Sequence, residues 1–169
     1  TMDREKLEAL QLERLQNTVK IAAQSNFYKK RFKEVGLNIQ DIKTLDDIKK
    51  IPFTTKDDLR SAYPAEMICV PREHAVRIHA SSGITANSTV IFYTKEDIST
   101  WTNLVSRCLY MAGMRSGDVF QNIVSYGLFT GGLGFHYGAE NLGALVIPAG
   151  VGNTLKQISL IKDFHTSFI

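Results

Sequence analysis

Leu7, Leu10, Leu15, Val19, Ala22 and Ala23 recur at near-helical spacing, with Glu, Lys and Arg filling the other face. The chain therefore opens on a predicted amphipathic helix, which Asp3 can cap. A second helix is predicted from Asn26 to Val35, ended by Gly36, where a left-handed C-cap costs glycine little. Thr44 followed by Asp47, and Thr55 followed by Asp58, repeat the spacing of a capping box. They predict two short helices around the turn at Ile51 and Pro52. Residues 1–70 thus read as a helical layer with no obvious catalytic cluster.

The period changes after Pro71. Val76, Ile78 and Ala80 alternate with Arg77 and His79, the pattern of a half-buried strand, and Val90 to Thr94 forms the next. Thr94 with Asp97 opens a long helix whose predicted inner face is Ile98, Trp101, Val105, Cys108 and Ala112, with Gly113 as its stop. A turn at Ser116, Gly117 and Asp118 leads to a strand from Val119 to Val124. A Gly-rich loop then enters a further helix, followed by a strand from Leu145 to Ile147 and a helix from about Leu155 to Phe164. Strand, helix, strand, helix, strand predicts an α/β fold with a largely parallel sheet and right-handed crossovers. Ser167, Phe168 and Ile169 read as the start of another strand, so residues 71–169 are expected to be part of one incomplete domain.

Composition narrows the function without naming it. The 169 residues are 44% hydrophobic and 22% charged with a net charge of +3, and the basic residues are interspersed with acids. Nothing tracks a phosphate backbone, and nucleic-acid binding is not expected. Lys29, Lys30, Arg31 and Lys33 interleave with Phe27, Tyr28 and Phe32, which reads as a solvated helix face beside an apolar one. Cys69 and Cys108 form no CxxC pair and follow no signal-like segment, so a reduced, cytoplasmic protein is expected. No apolar run is long enough to span a bilayer. His74, His79, His136 and His165 share no metal-ligand spacing with one another or with the cysteines, and no metal site is predicted.

The candidate chemistry lies in two loops. Ser81, Ser82, Gly83 and Thr85, between the first two strands, crowd hydroxyls and backbone amides into a tight turn, an arrangement that can cradle an anion. A plain polar turn has the same composition, so the residues alone leave both readings open. There is no Gly-Lys-Ser/Thr ending and the following segment reads as strand, which excludes a Walker A loop. The second loop, "YGLFTGGLGFHYGAENLG", is rich in glycine and aromatic residues.

The segment "RIHASSGITANSTVIFYT" resembles the phosphate loop of adenylate-forming acyl-CoA ligases. "PFTTKDDLRSAYPAEM", "YGLFTGGLGFHYGAENLGALVIP" and "GNTLKQISLIKDF" resemble, more narrowly, the phenylacetate-CoA ligase family. The resemblance covers essentially the whole chain and implies part of the large N-terminal domain of a longer enzyme. That enzyme would join ATP, CoA and an arylacetate, with Mg2+, into an arylacetyl-CoA, AMP and pyrophosphate. By the resemblance Ser81, Ser82, Gly83 and Thr85 would contact the ATP phosphates, and Tyr126, Gly127, Phe129 and Gly131 would wall the aryl-acid pocket. Catalytic and metal-binding residues are expected beyond Ile169. The chain by itself is therefore expected to be inactive, to hold none of these cofactors tightly, and to self-associate through uncovered apolar surface.

The loop departs from the family pattern. Ile84 stands for a threonine, Ala86 for a glycine, Asn87 for a lysine and Ser88 for a proline. These changes remove a hydroxyl donor and a charge-assisted contact. They keep a second reading open, that of a degenerate module that binds an aryl acid or a partner without making an adenylate. Val124 and Ser125 replace a Tyr-Gly pair, which enlarges the pocket toward a bulkier arylacetate such as indoleacetate. His136 and Glu140 invite acid-base roles, although Glu140 on a helix also has a structural reading.

Overall fold

The computed structural model of the protein describes residues 2–81 and 88–169. These pack as two units, one mainly of residues 2–75 and the other of residues 76–81 with 91–169. In the first, helix α1 (Arg4–Ala22) and helix α2 (Asn26–Glu34) form where the apolar spacing predicts them. Asp3 sits at the N-cap of α1 but makes no side-chain cap bond, contrary to expectation. Ser25 caps α2 instead, its Oγ accepting the Tyr28 N–H at 3.3 Å. Gly36, at φ +68°, follows α2 in the left-handed region that glycine enters without strain.

Both capping boxes form. Asp47 Oδ2 accepts the N–H and hydroxyl of Thr44 at 2.7 and 3.0 Å, and Asp58 Oδ2 accepts those of Thr55 at 2.7 and 2.8 Å. The second box opens helix α3 (Lys56–Ser61), whereas the first opens a 3-10 segment, Leu45–Lys50. Ile51 caps that segment, and Pro52 after it biases Ile51 to the extended region and ends the turn. Val19, Phe32 and Ile42 are the buried centre of this unit, with Leu15, Ile39 and Ile51 packed around them. Gln16 Nε2 donates to the Ile42 carbonyl at 2.8 Å and ties α1 to the segment after α2.

In the second unit, β1 (Ala75–Ala80) and β2 (Val90–Thr94) neighbour each other in a two-stranded sheet. Helix α4 (Lys95–Met111) starts at a third capping box, Thr94 with Asp97. Strand β3 (Val119–Gln121), helix α5 (Gly131–Leu142) and strand β4 (Leu145–Ile147) form a parallel β-α-β unit, with Val119 beside Leu145 and Gln121 beside Ile147. Helix α6 (Thr154–Asp163) then returns the chain to β3, where Phe168 makes a parallel bridge to Phe120. The segment expected to begin another strand thus flanks β3. Met114, Phe120, Ala139 and Ala144 form the buried cluster beneath, joined by Leu109, Leu142, Val146 and Phe168.

Two expectations are corrected. Strand β3 stops at Gln121 rather than Val124 because Asn122 turns its amide onto local backbone. Its Nδ2 donates to the Gly132 carbonyl at 2.7 Å, and its Oδ1 accepts the Val124 N–H at 3.2 Å. The inner face of α4 carries Trp101, Val105 and Ser106, while Cys108 and Ala112 are exposed. That face is set by α5, which presents glycines to it. A Cβ on Gly134 would stand 2.4 Å from Trp101 Cζ2, and one on Gly138 would stand 2.5 Å from Val105 Cγ1. The Ser106 hydroxyl donates to the Gly138 carbonyl at 2.7 Å across this contact. Among the described residues no helix is long and apolar enough to cross a membrane.

Candidate functional site

Strand β1 carries Arg77 and His79 on one face, by the alternation of a strand. His79 is 2% exposed, and its Nδ1 lies 2.9 Å from the Leu128 carbonyl of the Gly-rich loop. A carbonyl only accepts, so Nδ1 carries a proton. Its Nε2 is buried and has no hydrogen-bond partner among the described residues. The ring lies edge-on to Tyr93 and Trp101, whose own rings stack at 5.9 Å. Arg77 places its guanidinium 4.9 Å above the Tyr137 ring of α5, and its Nη1 is likewise buried with no partner among the described residues. The Ala80 N–H also donates to the Leu128 carbonyl, at 3.0 Å. The end of β1, where Ser81 stands, is thereby pinned to the Gly-rich loop.

The loop holds a polar chain of its own. Asn122, 1% exposed, donates Nδ2–H to the Tyr126 hydroxyl at 2.8 Å. Tyr126 Oη is 3.1 Å from His136 Nδ1, and His136 Nε2 is 3.0 Å from Glu140 Oε1. His136 and Glu140 are four residues apart on α5, so the helix places them on one face. Burial pushes the Tyr126 phenol up from its ordinary pKa, the Asn122 N–H opposes this, and the Glu140 carboxylate adds to it. The phenol therefore keeps its proton through neutral pH.

The residues expected to wall an aryl pocket are brought to this loop, with different surroundings. Tyr126 is half-buried in the polar chain, Gly127 is exposed, and Phe129 is 57% exposed. Gly131 opens α5, and a Cβ there would lie 3.2 Å from Val124 Cγ1 and 3.5 Å from the Phe129 ring, so Phe129, Gly131 and Val124 are mutual neighbours. Of the expected phosphate-binding set, Ser81 is exposed at the end of β1, and Ser82, Gly83 and Thr85 lie outside the described residues, as do Ile84, Ala86 and Asn87. Among the described residues no group of three or more His, Cys, Asp or Glu side chains is placed to hold a metal ion.

Asn122, Arg77 and His79 carry much of this polarity, and the sequence reading assigned none of them to a site. Asn122 reads as the tail of an apolar strand, and Arg77 and His79 read as the polar side of another. A signal for the pair exists only inside "RIHASSG", where they directly precede the loop.

No family profile matches the chain. It is 51% identical over 160 residues to the phenylacetate-coenzyme A ligase of Pseudomonas putida, covering 94% of this chain and 36% of that protein. It is 48% identical over 166 residues to the enzyme of the same name from Escherichia coli strain K12, covering 98% and 38%. The phenylacetate-coenzyme A ligase of Thermus thermophilus matches at 46% over 170 residues, covering 100% and 38%. The chain thus spans a little over a third of the length of these relatives. Among solved structures, 2-hydroxyisobutyryl-CoA ligase in its postadenylation state with 2-HIB-AMP superposes with a TM-score of 0.81 at 28% identity, over 96% of this chain and 35% of that one. The same ligase with 2-HIB-AMP and CoA in the thioesterification state gives 0.83 at 28% identity, over 96% and 35%.

Proposed function

The chain is a homologue of part of the phenylacetate-coenzyme A ligases, and on that premise we propose that the protein carrying it makes an arylacetyl-CoA from an arylacetate, ATP and CoA. The observation that carries this reading is identity of 46–51% over 94–100% of the chain. The reaction has two halves. The carboxylate attacks the α-phosphorus of ATP and expels pyrophosphate, and the CoA thiolate then attacks the acyl carbon and expels AMP. Both halves gather negative charge, so the demand on the protein is for fixed donors and positioning.

This chain's own contribution is read as two walls. Ser81, Ser82, Gly83 and Thr85 are assigned to the ATP phosphates, where hydroxyl and backbone N–H donors suit an anion. Tyr126, Gly127, Phe129 and Gly131 are assigned to the aryl ring. Support for the second wall is the neighbourhood of Phe129, Gly131 and Val124, an apolar ring edge beside residues with little side chain of their own. Magnesium, where it is bound, would neutralise phosphate charge. CoA and the metal are assigned to the whole protein rather than to these residues.

The test is AMP release by the full-length protein with a panel of acids, with phenylacetate and indoleacetate among them. Turnover of arylacetates is expected. Turnover of long-chain fatty acids or amino acids with none of arylacetates overturns the substrate class. Arylacetate binding without any AMP release favours the non-catalytic module suggested by Ala86 and Asn87.

A further inference from the structure

Counting donors and acceptors along the polar chain fixes what Tyr126 can offer a ligand. Glu140 is half-exposed, at 52% side-chain exposure, and a carboxylate only accepts. His136 must then carry its proton on Nε2, 3.0 Å from Glu140 Oε1. In the neutral imidazole this leaves Nδ1 as an acceptor, and its partner at 3.1 Å is the Tyr126 hydroxyl, which therefore donates to it. Asn122 occupies one lone pair of the same oxygen through Nδ2–H at 2.8 Å. Asn122 is itself fixed in orientation, because Nδ2 also donates to the Gly132 carbonyl and Oδ1 accepts from the Val124 N–H. With its proton and one lone pair committed, Tyr126 Oη retains one lone pair and no donor among the described residues.

We propose that Asn122, His136 and Glu140 are positioning residues that turn the Tyr126 hydroxyl into a hydrogen-bond acceptor at the aryl pocket, so that it selects an aryl acid bearing a ring donor, a phenolic O–H or an indole N–H, over one bearing an acceptor there. The inference rests on the arylacetate reading above.

The test uses the full-length protein and compares kcat/KM for each ring isomer of hydroxyphenylacetate with that of its methoxy counterpart at neutral pH. The acids share the same ionising carboxyl, so their ratio isolates the ring contact. At neutral pH one hydroxy isomer is expected to lead its methoxy counterpart by about tenfold, the factor of one net hydrogen bond. Tyr126→Phe should bring the ratio to near one. His136→Phe removes the acceptor of the Tyr126 proton and frees the hydroxyl to donate, so the ratio should turn in favour of the methoxy acid, an effect that a role in packing alone does not produce. Ratios near one for all isomers, in an enzyme that turns over phenylacetate, overturn the selection by Tyr126 and leave the arylacetate reading intact. Adenylation of other acids with none of arylacetates removes both.

Discussion

Asp58 shows how one side chain couples local structure to pH. Its carboxylate accepts the backbone N–H and then the hydroxyl of Thr55, and it pairs with Arg31 at 2.7 Å, which together hold its pKa at about 2 rather than 3.8. The folded state therefore binds fewer protons than the unfolded chain between these values. The stabilisation is fully present above about pH 4 and is lost as pH falls through 2. We expect the urea midpoint to drop on acidification across this window. Asp58→Asn should be less stable at neutral pH and should show a smaller drop, and an unchanged drop would remove Asp58 from the acid response. Phe129 gives a residue-scale test of the proposed pocket. Because its ring is 57% exposed, Phe129→Ala should alter stability little. It should raise the Kd of the full-length protein for an arylacetate by about tenfold or more, the scale of one lost aromatic contact, with ATP affinity nearly constant. Calorimetry with each ligand reads both, and equal losses would place Phe129 outside the pocket. At this scale the sequence made Tyr126, His136 and Glu140 visible as candidates. The second partner of the Tyr126 hydroxyl was not visible, since Asn122 reads as part of an apolar strand yet lies beyond the end of β3.

Helices α4 and α5 meet through absent side chains. Gly134 and Gly138 are one helical turn apart, and each lies under a side chain of α4, Trp101 and Val105 respectively. In Gly138→Ala the new Cβ would be 2.5 Å from Val105 Cγ1 and 3.2 Å from the Ser106 backbone nitrogen, so the helices must part. Overpacking of this kind costs about 1–3 kcal/mol, against about 1 kcal/mol that alanine adds to helix propensity. A net loss is expected, seen as a Tm lower by several degrees and a red shift in emission from Trp101, the chain's one tryptophan. Adding Val105→Ala should restore much of the loss, because the two sites share one space. An equal or higher Tm for the single variant would mean that the contact is looser than the structure has it. The glycines of "FTGGLGFHYGAENLG" thus have a packing role, and composition alone could not separate that role from a binding loop.

At the scale of the whole chain, Phe53, Met111 and Leu155 are 90%, 86% and 80% exposed, and Phe129 and Leu128 add to the apolar surface. Surface of this kind favours association. We expect the isolated 169-residue chain to scatter light as a species heavier than 18.9 kDa, to show no acyl-CoA synthetase activity, and to bind Mg-ATP weakly by calorimetry. A clean monomer with micromolar ATP affinity would contradict this. The sequence by itself determined the elements that depend on neighbours along the chain. Helices α1, α2 and α4, the three Thr-Asp capping boxes and the strand-helix order follow from side-chain period and from bonds that span three or four residues. It also carried the likeness to phenylacetate-CoA ligases, which is a property of residue order. Tertiary structure alone decided what depends on residues far apart. Ser106 meets Gly138 across 32 positions, His79 meets the Leu128 carbonyl across 49, and α4 turns its Ser106 side inward because α5 leaves room there. Such contacts are fixed by shape and by the requirement that buried polar groups find partners, and no local pattern encodes which distant group will meet that need.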